Sequence, residues 1–281
     1  MTAPQIFASP WGLVGPDLPF GSLAELLPAV ADAGLTGIEM PVIAFEAFPE
    51  AVGELDESRL AARLDELGLR LFPMILTFGG SCDDHLADFG RQLDLIGRWN
   101  SPVVNVHGGA DAFSDDDARR FLRTAGEMAG DHGVALSHET HRGRILHTPW
   151  RTARLLDEVD DLWLTADLSH WVVTCERLPN DRADDLAVAL ARTRHVHARV
   201  GFDQGPQVPD PRDPRWSTFV DAHERWWTEA FAAIGARGDQ ITVTPEWGPP
   251  PYAPTDGSGV PLADNWELVQ WSAERMDFLL A

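Results

Sequence analysis

The feature that most constrains this chain is a regular alternation of short apolar runs with amphipathic helical patterns. Eight runs have the length and composition of β-strands, and a helical segment follows each of them. The candidate strands are residues 4–9, 36–41, 70–76, 102–107, 134–139, 162–167, 194–199 and 241–246. Repeated βα units without a compositional break predict one α/β domain over residues 1–281, a single (β/α)8 TIM barrel.

Helix start and stop signals support this division of the chain. Ser22 with Glu25 predicts a capping box, Thr148 followed by Pro149 predicts another helix start, and Gly68 predicts a helix end. A doubly wound sheet is the alternative, but SPWGLVG after the first strand lacks the glycine-rich nucleotide fingerprint. Two long loops rich in proline and glycine, 200–216 and 247–264, are expected at the C-terminal face of the barrel, where they would serve ligand binding or subunit contacts.

The last four candidate strands place polar side chains on their inward faces. In residues 241–246, Thr242 and Thr244 share a face with Glu246, whereas Ile241 and Val243 share the other. If the apolar face packs on the helices, the glutamate lies in the barrel mouth. The same alternation brings one acid or imidazole into the mouth from each of these four strands: Glu139, Asp167, His197 and Glu246.

Four such groups in one barrel mouth require compensation, because unpaired buried charge is costly. They could pair with one another, but one divalent metal ion would compensate all of them. Three carboxylates and one imidazole suit Mn²⁺, Mg²⁺ or Co²⁺, and Zn²⁺ is also allowed. In this interpretation His195 lies one layer deeper in the barrel, and Arg199 stands at its rim.

The composition limits the partners and the chemistry. A net charge of −22 disfavours nucleic acid, since such partners are bound largely through Lys and Arg. All 22 basic residues are arginine, which excludes chemistries that need a lysine amine. Apolar runs fall short of the roughly 20 residues of a membrane span, and the N-terminal stretch lacks a signal peptide's basic region. We therefore expect a cytoplasmic protein that binds neither nucleic acid nor membranes.

Several motifs together resemble one superfamily over nearly the whole chain. They are the order Glu, Asp, His, Glu at the ends of strands five to eight, DLSH at 167–170, HVH at 195–197, GIEMP with Glu39, and VVNVHGG with His107. This set resembles the xylose-isomerase-like TIM barrels, sugar isomerases and epimerases that include ketose 3-epimerases, hydroxypyruvate isomerase, and inosose isomerases and dehydratases. One departure is Asp203, where ketose epimerases carry an arginine six residues after the histidine ligand; Arg199 is a candidate replacement.

The resemblance implies roles for particular residues. Glu139, Asp167, His197 and Glu246 would bind the metal, Glu139 and Glu246 would also act as the acid/base pair, and His170 would contact substrate hydroxyls. It further implies a small carbohydrate or polyol substrate and a homo-oligomer, a dimer or a tetramer.

Position alone suggests further substrate-binding residues. Trp11 and Trp247 lie just past strand ends, where an indole could cover the C–H face of a sugar. His107 lies at the end of the fourth strand, and Arg142, just beyond the fifth, could meet a substrate carboxylate.

The predicted reaction is isomerisation or epimerisation of a sugar or keto-polyol by proton transfer through an enediolate whose charge the metal would stabilise. The alternative is a metal-dependent lyase or dehydratase, like the inosose dehydratases, or a hydrolase acting on a specialised metabolite. A non-catalytic sugar-binding barrel and an abasic-site endonuclease are less favoured, the latter because the chain is strongly acidic.

Overall fold

The computed structural model describes residues 3–99, 101 and 103–280. Eight parallel strands in these residues pair in chain order and close into a barrel, the last strand pairing with the first. They are β1 (Gln5–Ala8), β2 (Gly37–Pro41), β3 (Arg70–Leu76), β4 (Val103–His107), β5 (Ala135–Glu139), β6 (Leu164–Ala166), β7 (Thr193–His197) and β8 (Thr242–Thr244). The predicted (β/α)8 barrel is thus confirmed; residue 102 of the fourth predicted strand lies outside the described residues.

The helices lie around this barrel between the strands. They are α1 (Leu23–Asp32), α2 (Ala44–Ala47), α3 (Pro49–Val52), α4 (Glu57–Leu67), α5 (Cys82–Ile96), α6 (Asp115–Asp131), α7 (Pro149–Glu158), α8 (Ser169–Cys175), α9 (Ala183–Ala191), α10 (Ser217–Ala236) and α11 (Asn265–Leu280), with short 3₁₀ turns at Asn180–Arg182 and Pro214–Trp216. Over the part of the chain that the structure describes, no helix combines the length and apolarity needed to cross a membrane.

Two of the predicted helix caps differ from the expectation. Ser22 precedes α1, but its side chain makes no capping bond, and Glu25 accepts the N–H of Gly21 at 3.0 Å instead of that of Ser22. The predicted capping box is therefore wrong, because the glutamate bonds one residue further back. Thr148 precedes α7 likewise without a side-chain capping bond. Gly68 ends α4 in the left-handed region at φ +68°, as its position predicts.

The strand alternation sorts apolar and polar residues as predicted. Outward residues such as Ile38, Val104 and Val243 are fully buried in the core between barrel and helices. Inward residues of neighbouring strands bond to one another inside the barrel; for example, Thr165 Oγ1 of β6 donates to Ser137 Oγ of β5 at 2.9 Å. Because β6 and β8 end earlier than predicted, Asp167 and Glu246 lie on the loops immediately beyond them.

The two long loops leave the C-terminal ends of β7 and β8 and contact each other. Gly248 N–H donates to Gln207 Oε1 at 2.8 Å, and Gln207 Nε2 donates to the Gly248 carbonyl at 3.4 Å. Each loop therefore supports the other above the barrel mouth.

Candidate active site

Four side chains converge at the C-terminal end of the barrel, one from each of the last four strands or the loop just beyond it. His197 Nδ1 lies 3.5 Å from Glu246 Oε2, 3.7 Å from Glu139 Oε2 and 4.0 Å from Asp167 Oδ2. All four residues are buried, and one ligand atom from each lies within 4.8 Å of the others. The four predicted ligands thus meet at one point, a grouping called here the ligand cluster.

Glu39 of β2 fixes the imidazole that belongs to this cluster. His197 Nε2 lies 3.1 Å from both Glu39 carboxylate oxygens, and Thr244 Oγ1 donates to the same carboxylate. Asn105 Nδ2 donates to Glu39 Oε1 at 2.8 Å and to Glu139 Oε2 at 3.2 Å. Because a carboxylate occupies the Nε2 side, Nε2 donates its proton to Glu39, and a metal ion in the cluster would take the place of the second proton at Nδ1.

The cluster has the composition and spacing to hold a metal ion. His197 Nδ1 is buried without a hydrogen-bond partner among the described residues, and a buried unpaired nitrogen is costly. Ligands about 2.1 Å from one octahedral ion lie roughly 3.0 Å apart when adjacent and roughly 4.2 Å when opposite. The distances from Nδ1 to the three carboxylates lie within that range. A histidine whose other nitrogen donates to a carboxylate is also the usual arrangement of a metal ligand.

The electrostatics of the cluster favour a positive charge. Burial alone would lower the pKa of His197, but Glu39, Glu246 and Glu139 outweigh it and hold that pKa well above its ordinary value. Burial raises the pKa of Asp167 to about 6 although Arg199 beside it acts in the opposite direction. The carboxylates thus draw a cation toward Nδ1, a role that a divalent ion could fill.

Arg199 lies inside the site and not at the rim, which corrects the prediction. Its side chain is 1% exposed, and Nη2 donates to Asp167 Oδ2 and lies 3.3 Å from Glu246 Oε2. Nε donates to Ser169 Oγ at 3.1 Å, and Nη2 lies 2.9 Å from His170 Nε2. The guanidinium lies between the loops that follow β6 and β8, because Asp167 and Glu246 on those loops bind it.

Three further imidazoles line one side of the site. His107 Nε2 lies 3.2 Å from Glu139 Oε1, and the rings of His107, His141 and His170 follow one another with centroids 4.1 and 3.9 Å apart. Burial lowers the pKa of His141 and of His170 well below the ordinary value, and the neighbouring histidines act in the same direction. Both rings are therefore neutral near pH 7 and can accept or donate a hydrogen bond to a ligand.

A cavity of about 540 Å³ opens over the ligand cluster. Six of the predicted site residues line it: Trp11, His107, Glu139, His170, Arg199 and Glu246. Tyr252 of the second long loop also lines it. This residue packs edge-on against Trp11 at 4.8 Å and lies 5.2 Å from the Arg199 guanidinium carbon. The cavity volume is typical of small-molecule sites, about 300–1,000 Å³.

Two predicted substrate-binding residues lie elsewhere. Trp247 is 1% exposed and donates its indole N–H to Ser272 Oγ of α11 at 3.0 Å, so it packs in the core behind β8. Its neighbour Glu246 points inward, and consecutive side chains of extended chain point to opposite sides. Arg142 is exposed and lies 4.9 Å from the Tyr252 ring, outside the cavity lining. Asp203 is likewise outside that lining.

Sequence reasoning did not assign three residues of the site: Glu39 as the partner of His197, Asn105, and Tyr252. The inward parity of Glu39 and Asn105 on β2 and β4 carried a usable signal, because both alternate with buried apolar residues. Tyr252 lies in an irregular loop, where no periodic pattern predicts which side chain faces the cavity.

The family of this chain follows from its match to a family model described as xylose isomerase-like TIM barrel, which covers residues 27–267. The chain therefore belongs to the xylose isomerase-like TIM barrel family. No functionally curated protein matches it in sequence.

Solved structures share the fold over almost their whole length. D-allulose 3-epimerase from Methylomonas sp., in complex with D-allulose, is 14% identical, with a TM-score of 0.63 and coverage of 98% of this chain and 96% of that chain. A xylose isomerase-like TIM barrel protein from Mycobacterium smegmatis in complex with magnesium is 17% identical, with a TM-score of 0.61 and coverage of 99% and 98%. The probable 3-DHS dehydratase involved in petrobactin synthesis from Bacillus anthracis is 13% identical, with a TM-score of 0.59 and coverage of 99% of each chain.

Proposed function

We propose that this protein is a divalent-metal-dependent isomerase or epimerase of a sugar or keto-polyol that acts by proton transfer between two glutamates. The observation that carries the proposal is the unpaired, buried His197 Nδ1 facing three carboxylates while Glu39 holds the opposite nitrogen. Glu139, Asp167, His197 and Glu246 would hold the metal. Their hard, oxygen-rich set suits Mn²⁺, Mg²⁺ or Co²⁺, and the magnesium complex of the mycobacterial neighbour supports this class of ion.

When bound, a divalent cation supplies Lewis-acid stabilisation of the negative charge that develops on the substrate oxygens. Glu139 and Glu246 do the proton chemistry. Both contribute an oxygen to the ligand cluster, and they come from strands on different sides of β6 and β7. One carboxylate removes the proton beside the carbonyl, and the other returns a proton to the opposite face. Return to the same carbon gives epimerisation, and return to the neighbouring carbon gives isomerisation.

Arg199, His107 and His170 would orient the substrate. Arg199 Nη1 is buried without a partner among the described residues, so it can donate to a substrate oxygen. His170 Nε2 is held by the same guanidinium, which leaves its Nδ1 for a hydroxyl. His107 Nε2 lies 3.2 Å from Glu139 Oε1 and has no hydrogen-bond partner among the described residues, so it could contact a substrate oxygen beside that carboxylate. Trp11 and Tyr252 would cover the sugar from above.

The likeness to the D-allulose 3-epimerase supports a carbohydrate substrate. A homo-oligomer and a cytoplasmic location stay predictions from the sequence. Dehydration is the second candidate, and the likeness to a probable dehydratase favours it. The same proton abstraction leads to water loss if a hydroxyl on the carbon next to the carbanion can leave.

Solvent-deuterium exchange tests the proposal. The protein loaded with Mn²⁺ is incubated in D₂O with D-fructose and with D-allulose, next to a sample treated with EDTA, and the sugars are followed by NMR. The proposal expects deuterium at a carbon beside the carbonyl together with a new isomer, in the loaded sample alone. An unsaturated product would assign the dehydratase, and equal exchange in the EDTA sample would contradict the metal-dependent mechanism.

A further inference from the structure

The cavity over the ligand cluster has two unlike walls. The polar wall comes from β4 to β8 and their loops and includes His107, Glu139, His141, Arg144, His170, Arg199 and Glu246. The apolar wall comes from the loops and strand ends of β1 to β3, and its main members are Leu18, Met40, Phe48, Val52, Met74 and Phe78. Proton transfer to a sugar uses only the first of these walls.

The apolar wall offers few partners to a sugar hydroxyl. Its polar side chains in the cavity lining are Ser9, Glu39 and Glu50. The Glu39 carboxylate is already bonded to His195, His197 and Thr244, and Glu50 is exposed to solvent. A polyol chain lying on this wall would lose water without gaining hydrogen bonds, which disfavours binding.

Aromatic side chains continue the apolar wall to the mouth of the cavity. Phe48 is 40% exposed, Phe78 is 54% exposed, and Trp11, which lines the same cavity, is 41% exposed. Large apolar residues that cluster in this way around a cavity mark a surface that a ligand or a partner covers. Because this rim is continuous with the cavity over Glu139 and Glu246, one small molecule could contact both walls.

We infer that the substrate carries an aryl or alkyl substituent that lies on the apolar wall while its carbohydrate part meets the polar wall. The assignment of the carbohydrate part rests on the proposed function; that of the apolar part rests on the lining of the cavity. The volume of about 540 Å³ leaves room beyond a single free sugar. Burial of an apolar group there is favourable in proportion to the area removed from water.

Calorimetric titration of the Mn²⁺-loaded protein tests the inference. The probes are D-fructose and a set of its regioisomeric mono-O-benzyl ethers, which move the phenyl group to each hydroxyl in turn. We expect at least one ether to bind about tenfold or more tightly than D-fructose, because the ring is buried on the apolar wall. If every ether binds as weakly as D-fructose or more weakly, the inference is wrong.

Variants at the exposed rim locate the binding. Phe48→Ala combined with Phe78→Ala should weaken the best ether about tenfold and leave D-fructose unchanged. Phe278→Ala is the matched control, since Phe278 is 67% exposed and lies on α11, outside the cavity lining. Unchanged ether affinity in the double variant would overturn the inference. If sedimentation also shows that the wild type is an oligomer and that the double variant dissociates, a second copy of the chain covers the rim.

The calorimetric binding result does not depend on whether the protein turns over a sugar. Tight ether binding without deuterium exchange in any sugar would support the apolar wall and contradict the proposed function. Deuterium exchange in D-fructose without tighter ether binding would support the proposed function and contradict the inference about the apolar wall.

Discussion

The two halves of the barrel mouth differ in what their strands contribute. From β4 to β8, the strand ends present imidazoles, carboxylates and a guanidinium that bond to one another within a few ångströms. From β1 to β3, they present mainly aliphatic and aromatic side chains around the same cavity. Glu39 on β2 is the exception, and its carboxylate reaches across the barrel to His197. One half thus provides reactive groups, and the other provides shape and apolar surface.

The glutamates of the polar half should dominate activity. Glu139→Gln or Glu246→Gln should lower the rate of proton transfer by about 10²–10⁴-fold, because each removes a base while keeping the side-chain volume. The measurement is deuterium exchange into whichever sugar the wild type turns over. Glu127→Gln, which alters an exposed acid of α6 outside the cavity lining, is the control and should leave the rate unchanged. A similar rate in all three variants would remove the functional distinction between the halves.

Trp11 and Trp247, both predicted to bind substrate, should contribute differently to the stability of the protein. Trp247→Ala should lower the free energy of unfolding by about 3–5 kcal/mol, because its indole fills the core behind β8. Trp11→Ala, at a partly exposed position, should lower it by less than about 1 kcal/mol and weaken ligand binding instead. Urea unfolding measures both values. Equal losses of stability would contradict the different positions of the two side chains.

Acid should lower the free energy of unfolding of the protein through His223 of α10. Gly201 N–H donates to His223 Nε2 at 3.3 Å, which requires a neutral ring, and burial lowers the pKa of His223 to about 4. The unfolded chain binds this proton near pH 6.5, so the contribution of His223 is complete above that pH and is lost as the pH falls toward 4.

The contribution of His223 to the free energy of unfolding should fall by about 3 kcal/mol at pH 4. This fall should be absent in His223→Gln, because the amide oxygen of glutamine can accept the same N–H. The measurement is urea unfolding at pH 7, 5.5 and 4.5. His138, whose pKa burial also lowers to about 4, remains in the variant, so its pH dependence should become shallower without vanishing. Identical slopes in both proteins would show that His223 carries no proton linkage.

Glu39 should act on the metal without contacting it. Glu39→Gln should weaken Mn²⁺ binding about 10–100-fold, since the carboxylate orients His197 and raises its basicity. Calorimetric titration with Mn²⁺ measures the affinity, and Glu127→Gln, at an exposed acid of α6 outside the cavity lining, serves as the matched control. Unchanged affinity in Glu39→Gln would mean that the cluster does not depend on this support.

Much of the polar half could be predicted from the sequence, because its residues lie on strands with period-two alternation. That rule alone places Glu139, Asp167, His197 and Glu246 on the inward face. Applied consistently, it also places Trp247 outward, and the prediction of Trp247 as a ligand-binding residue ignored this. The same parity places Arg199 on the inward face, where the structure has it, but parity does not predict depth, and the ion pairs with Asp167 and Glu246 hold the guanidinium below the rim.

The apolar half was not predictable in the same way. Phe48 and Phe78 lie between or beyond regular elements, where side-chain direction depends on tertiary contacts. An exposed aromatic residue in a loop has many structural interpretations until the cavity beside it is known. The capping box at Ser22 was also mispredicted, since Glu25 accepts the N–H of Gly21, the residue before the cap, and residue spacing alone does not predict that choice.

The proposed metal site makes a direct prediction about the metal content of the purified protein and about its melting temperature with EDTA and with added Mn²⁺. These are compared between the wild type and His197→Ala. We expect roughly one divalent ion per wild-type chain and a rise in Tm with Mn²⁺, both lost in the variant. A wild type that neither retains metal nor responds to Mn²⁺ would contradict it, and the buried carboxylates would then be balanced only by Arg199 and the histidines.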